Sequence, residues 1–270
     1  FATFELKQFT TSSVGAHIFS FTILSDTSQN AYGDAPYLPI LPKLMYEQQI
    51  MAGNPVDFSA CLGDITARGI DFTTWRLWLE DISLNDWASN RSHVVAVGNH
   101  ERFDDREGTY FHKFYPYAQT NFSFTYGNAH FVVLDTWNLT EGWYTNISQS
   151  QLQWARNDLL AHSDAKFKVI FIHNTPYESD GSPATGGHNG DIGATITNLC
   201  NDYSIDAVFS GHWHTYYRHL VNNTQYMTIG IGGNNDYCGY ARVDVSESMF
   251  NVTVFRADQF GVIDQYTIIK

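Results

Sequence analysis

A chain of 270 residues with 43% hydrophobic content can bury a sizeable core, and it is expected to form one domain over 1–270, with 1–16 as an N-terminal extension packed on it. Its net charge of −13, from 28 acidic and 15 basic residues, disfavours nucleic-acid backbones and anionic membrane surfaces as partners; an anionic substrate would need local positive charge. No run of about 20 apolar residues is present to span a bilayer.

In chain order, residues 18–24 read as a buried strand that runs into Ser25-Asp26. Turn residues before 37 and Gly53 after 51 frame a first predicted helix over 37–51. A second strand, 56–62, runs into Gly63-Asp64. A helix over 73–88 follows, with Trp75, Trp78, Leu79, Ile82 and Trp87 spaced for one face, which reads as core and not as a binding platform. The apolar run 93–97 stops at Gly98-Asn99-His100-Glu101, and the charged stretch 102–107 beyond it is expected to be a solvated loop at the rim.

Residues 122–126 and 129–134, separated by Gly127-Asn128, carry the signal of a hairpin, and 149–161 that of an amphipathic helix. A strand at 169–172 delivers His173. The loop 174–190 is rich in Gly, Pro and Ser, long enough to serve as a rim or lid. A helix over 192–203 leads into a strand at 207–209 and then Ser210-Gly211-His212-Trp213-His214. The tail reads as strands at 227–231, 240–245, 251–256 and 266–269. Alternating strands and helices imply parallel βαβ units, and with the all-strand tail they predict an α/β fold of two mixed sheets flanked by helices. No internal repeat is found.

One pattern recurs: a buried strand ends in a side chain able to hold a metal. Five strand ends present Asp26, Asp64, Asn99-His100, His173 and His212-x-His214, in that order. Oxygen and imidazole donors converging from separate strands suit divalent first-row metals, and a shared carboxylate can hold two ions about 3.5–4 Å apart.

The blocks Gly63-Asp64-Ile65-Thr66-Ala67-Arg68-Gly69, Gly98-Asn99-His100-Glu101, 124–131 and 211–218 resemble the signatures of the calcineurin-like metallophosphoesterases, and within them the purple acid phosphatase branch. The resemblance covers roughly residues 18–268. It implies a four-layer α/β/β/α sandwich. It implies one metal held by Asp26, Asp64 and His214, and a second by Asp64, Asn99, His173 and His212, with Asp64 bridging. The ions would be Zn, Mn or Fe, a hydroxide between them would attack phosphorus in line, and His100 would be the general acid to the leaving group. His188, in the rim loop, is carried over as a substrate-facing side chain. The remaining histidines at 17, 93, 112, 130, 162 and 219 read as surface or packing residues.

Two family positions differ. Most calcineurin-like enzymes place a His two residues after the first Asp, where this chain has Ser28. Purple acid phosphatases use a Tyr three residues after the second Asp, where this chain has Ala67. The first site is therefore expected to hold its ion weakly, and no phenolate is available for a coloured ferric centre. Two functions follow: a metal-dependent phosphatase or phosphodiesterase acting on phosphate esters, or a metallophosphoesterase-fold protein that has lost turnover and serves as a surface or assembly protein, in which case homo-oligomers or larger assemblies are expected.

Asn-x-Ser/Thr acceptors stand at Asn90, Asn121, Asn138, Asn146, Asn222 and Asn251. With a first residue Phe1 that suggests a removed leader, they predict a secreted, extracellular or lumenal glycoprotein with N-linked glycans. Of three cysteines, Cys61 lies in a strand and reads as a buried hydrophobe, which makes Cys200 and Cys238 the candidate disulfide pair in an oxidising compartment.

Overall fold

The sequence runs β-branched and aromatic residues at alternate positions, and these stretches become strands with one face toward a common core. The computed structural model describes residues 18–27, 53, 56–84, 91–117, 119–137, 147–185, 191–230, 239–256 and 261–270. The first sheet orders its six strands β12 (Val262–Ile269), β11 (Met249–Arg256), β10 (Gly239–Val245), β1 (Phe19–Leu24), β2 (Phe58–Cys61) and β3 (Ser92–Val95). The second runs β4 (Phe122–Tyr126), β5 (Ala129–Val133), β6 (Phe167–Phe171), β7 (Ala207–Ser210), β9 (Thr224–Ile229) and β8 (Tyr216–Val221). Both are mixed. The β1-β2-β3 and β5-β6-β7-β9 segments are parallel, and the outer strands join antiparallel.

Between the sheets lies an aromatic core. Phe21, Phe58, Phe131, Phe171, Phe209 and Phe250 are all fully buried there. Phe21 stacks on Phe58 at 4.7 Å, and Phe131 meets Phe21 edge-on at 5.4 Å, so side chains of the two sheets interlock. Each such burial is worth about 1.5–3 kcal/mol. Helices cover the outer faces. On the first sheet, α1 (Phe72–Leu84) brings Trp75, Trp78 and Ile82 against Leu24, Cys61 and Val95. On the second, α4 (Gln149–Ala161) and α5 (Ile192–Tyr203) cover Val132, Ile170 and Val208. The result is the expected four-layer sandwich, with the Trp75–Trp78 stripe in the core.

Several details differ from the sequence reading. The stretch after Asn99 folds into two short helices, α2 (Asn99–Arg102) and α3 (Thr109–Phe114). Between them residues 103–108 form the expected turn with Asp104, Arg106 and Glu107 exposed, but two of the charged residues turn inward: Arg102 is buried with its guanidinium on Asp135 at 2.8 Å, and buried Asp105 accepts from the Tyr110 backbone N–H. Charge alone suggested solvent, but a buried counter-charge on the β5 loop draws Arg102 inward. Strand β8 was not foreseen because Arg218 and His219 interrupt its apolar pattern. Its turn, Asn222-Asn223 with φ of +49° and +70° between Val221 and Thr224, is the two-residue hairpin geometry that asparagine favours.

The helix over 37–51, the extension 1–16, Trp87, Ser28, His188, Cys238, Asn90, Asn138 and Asn146 lie outside the described residues. Asn222 is exposed at the β8–β9 tip, Asn121 is half-buried, and half-buried Asn251 accepts from Thr267 Oγ1 within the first sheet. Cys61 is buried as expected. Cys200 is also buried, on the inner face of α5 among Leu199, Ile205 and Tyr226, and its expected partner Cys238 is one of the residues outside the description. Among the described residues no helix is long and apolar enough to cross a membrane.

Candidate metal centre

Parallel strands all deliver their C-terminal loops to one edge, and here the loops of both sheets meet. Asp26 follows β1, Asp64 follows β2, Asn99 and His100 follow β3, His173 follows β6, and His212 and His214 follow β7. Asp26, Asp64, His212 and His214 take φ of +58°, +54°, +76° and +48°. That left-handed region costs a non-glycine residue roughly 1–3 kcal/mol, and such strain gathers where function holds it.

The loops are stitched to one another by backbone donors. The Asp26 carboxylate accepts from the His212 N–H at 2.9 Å, and Asp64 Oδ1 accepts from the His100 N–H at 2.9 Å. His173 Nδ1 donates to the Leu62 carbonyl at 2.8 Å, which ties the second sheet to the first and turns Nε2 inward. That Nε2 lies 3.2 Å from Asp64 Oδ2 and 2.9 Å from Asn99 Oδ1; His212 Nδ1 lies 3.0 Å from the same Asn99 oxygen. On the other side, His214 Nε2 is 3.4 Å from Asp26 Oδ1. All six expected donors thus gather at one place. They fall into two groups, Asp64-His173-His212 and Asp26-Asp64-His214, each with donor atoms within 4.8 Å of one another, and Asp64 belongs to both.

His100 stands beside them. Its Nδ1 donates to the Ala67 carbonyl at 2.7 Å and Phe103 packs edge-on at 4.6 Å, so the ring is fixed with Nε2 3.8 Å from Asp64 Oδ2. Trp213, between the two histidines of β7's loop, remains 41% exposed.

Glu101 escaped the sequence reading. Fully buried, it accepts four backbone N–H bonds, from Asp64 and Gly98 on Oε2 at 2.9 and 2.7 Å and from Ile65 and Thr66 on Oε1 at 2.8 and 3.1 Å. It therefore locks the Asp64 loop to the Asn99 loop. The signal was its place three residues after Gly98, the position that caps a helix start. Gly98 is required by close approach: a Cβ there would collide with Asp64 Oδ1 and stand 2.5 Å from the Asp64 nitrogen.

The electrostatics show a cavity short of positive charge. Burial opposes charge at Asp64, yet His173, which also hydrogen-bonds it, and His100 together hold its carboxyl well below the usual range. Burial likewise disfavours charge on His173, but Asp64 outweighs it, with Asp26 and Glu101 adding, and the imidazolium is held up to about 10. His214 is raised over the opposing effect of burial by Asp26 and Asp64. Burial, then the Asp64 charge, pushes Glu101 up to about 7. Carboxylates that force protons onto imidazoles which otherwise present donor nitrogens are what a cation site looks like with protons in the cations' place. Two carboxylates, an amide oxygen and three imidazoles fit divalent first-row ions.

A two-sheet sandwich with an Asp, Asn and His cluster on its shared loop edge defines the metallophosphoesterase class. The sequence matches the family model of the calcineurin-like phosphoesterases over residues 19–216, and the chain belongs to that family. It is 29% identical over 200 residues to purple acid phosphatase 22 of Arabidopsis thaliana, a match that covers 64% of this chain and 43% of that protein. The chain thus spans less than half the length of the curated relatives it matches. Among solved structures, purple acid phosphatase PPD1 from yellow lupin seeds superposes with a TM-score of 0.73 at 18% identity, over 93% of this chain and 54% of that one. Plasmodium GAP50, described as the anchor in the inner membrane complex, superposes with a TM-score of 0.74 at 16% identity, over 94% of this chain and 90% of that one.

Proposed function

We propose that the chain is a metal-dependent phosphoric ester hydrolase with a two-ion site: Asp26, Asp64 and His214 for one ion, and Asp64, Asn99, His173 and His212 for the other. The observation that carries this reading is Asp64, whose single carboxylate belongs to both donor groups. Bound divalent ions supply Lewis acidity and neutralise a phosphoryl group. The protein's own part is orientation and proton delivery. His173 would offer Nε2 to an ion, because Nδ1 is committed to the Leu62 carbonyl. His100, steered by the Ala67 carbonyl, presents Nε2 to the leaving-group oxygen and protonates it.

The ion of Asp26, Asp64 and His214 is the weaker one, because Ala67 offers a methyl group and no donor in place of the family's tyrosine. That same residue favours a second reading from a different class, a family member without turnover that acts as a secreted or surface assembly protein; GAP50 is a structural neighbour described as an anchor. The acceptor at exposed Asn222 supports a glycosylated, secreted chain. Metal analysis of purified protein, paired with turnover of a chromogenic phosphomonoester and a phosphodiester, separates the two readings. Bound metal with turnover supports the hydrolase, whereas fewer than two ions and no turnover of either ester support the assembly protein.

A further inference from the structure

A second group of donors lies away from this centre. His130, near the start of β5, Asp158, on α4, and His162, the C-cap of α4, bring donor atoms within 4.8 Å of one another. His130 is five residues before Asp135 on the loop facing the first centre, which at about 3.3 Å per residue places it on the order of 15 Å away along the strand. We propose that His130, Asp158 and His162 form a separate binding site for a divalent cation from the zinc and copper end of the first row.

The argument begins with spacing. Asp158 and His162 are one helical turn apart, so both project from the same side of α4 toward the hairpin of β4 and β5. His130 meets them from that hairpin: its Nε2 is 2.8 Å from Asp158 Oδ2, and its ring stacks on His162 with centroids 3.9 Å apart. His162 Nδ1 lies 3.6 Å from Asp158 Oδ1 and bonds the Asp158 carbonyl at 2.9 Å.

The supporting bonds are those that orient metal ligands elsewhere. Thr125 Oγ1 pairs with His130 Nδ1 at 2.9 Å, which leaves Nε2 to face Asp158, and the Ser123 hydroxyl donates to Asp158 Oδ1 at 2.7 Å. A ligating imidazole typically has its far nitrogen held in this way, and a ligating carboxylate its outer oxygen. With no ion bound, His130 Nε2–H donates to Asp158 Oδ2, and an ion would take that proton's place between the two groups while Nδ1 stays with Thr125 Oγ1. An open cavity of about 540 Å³, lined by Thr125, Asn128, His162, Asp164, Lys166 and Glu247, borders the cluster at His162. The two ring planes are within 12° of parallel, so capture of an ion turns half-exposed His162 until its lone pair converges with that of His130. The ion would clamp the end of α4 to the hairpin.

The test uses the full chain stripped of metal, in an Asp64→Asn background that cripples the first centre. Zinc titration by calorimetry should then show one ion per chain that raises the melting temperature, and adding His162→Ala should weaken that binding at least tenfold and abolish the shift. Asp158→Asn should weaken it likewise, and circular dichroism checks that each variant folds. Equal zinc binding with and without His162, or no binding in the Asp64→Asn chain, would overturn the proposal. In the otherwise natural chain, His162→Ala should leave phosphoester turnover unchanged, so the outcome is independent of the first centre.

Discussion

Gly98→Ala is the substitution whose consequence the structure fixes most tightly. Gly98 has φ −98° and ψ 178°, extended backbone that alanine adopts freely, so no conformational penalty enters. The effect is purely one of space. The new methyl would sit 2.5 Å from the Asp64 nitrogen and 2.9 Å from Glu101 Oε2, and would strike Asp64 Oδ1. None of these can swing away, because Glu101 bonds the backbone of both loops and Asp64 Oδ1 holds the His100 N–H. To restore ordinary contact the Asp64 and Asn99 loops must part by about 1 Å. Overpacking of this kind costs about 1–3 kcal/mol of stability, and a misplacement near 1 Å costs about 100-fold in rate. Urea denaturation and turnover of a chromogenic phosphomonoester measure both. A Gly98→Ala protein within about 0.5 kcal/mol and about threefold of the natural chain would refute this view of how the loops are held.

Other outcomes follow from the same geometry. His100→Ala should reduce hydrolysis of an alkyl phosphate by about 100-fold or more, and that of an aryl ester with a better leaving group by less. Full activity on the alkyl ester would remove His100 from the mechanism. Iron-loaded protein should show no strong visible absorption, since Ala67 supplies no phenolate; an intense band would contradict the assignment. His93, whose Nε2 is buried beside Trp78, is pushed by burial down to about 3. The unfolded chain takes up that proton near pH 6.5, so stability is full above that value and falls as pH drops toward 3, by at most about 1.4 kcal/mol per unit. His93→Gln should flatten this decline in urea midpoints between pH 6 and 4, and an unchanged slope would exclude His93.

Much of this organisation was legible because its determinants are local. Apolar runs that stop at Ser25-Asp26, Gly63-Asp64 and Gly98-Asn99 marked β1, β2 and β3 together with the residues they release, and the amphipathic pattern of Leu152, Trp154, Leu159 and Leu160 marked α4. What escaped depends on partners distant in sequence. Arg102 is buried against Asp135, 33 residues later, and β1 takes as its antiparallel neighbour β10, from near the other end of the chain. Glu101 looked like a polar neighbour of the Asn-His pair. Its four bonds exist because two loops from adjacent strands are brought within reach of one carboxylate. His130 and His162 read as packing residues, since Asp158 joins them only when α4 lies across the β4–β5 hairpin.

The most direct test of the account is anomalous diffraction from crystals soaked in manganese or zinc. It predicts two peaks on either side of the Asp64 carboxylate, about 3.5–4 Å apart, one beside Asp26 and His214 and the other beside Asn99, His173 and His212. Crystals at saturating metal with no peak at Asp64, or with density only elsewhere on the molecule, would contradict it.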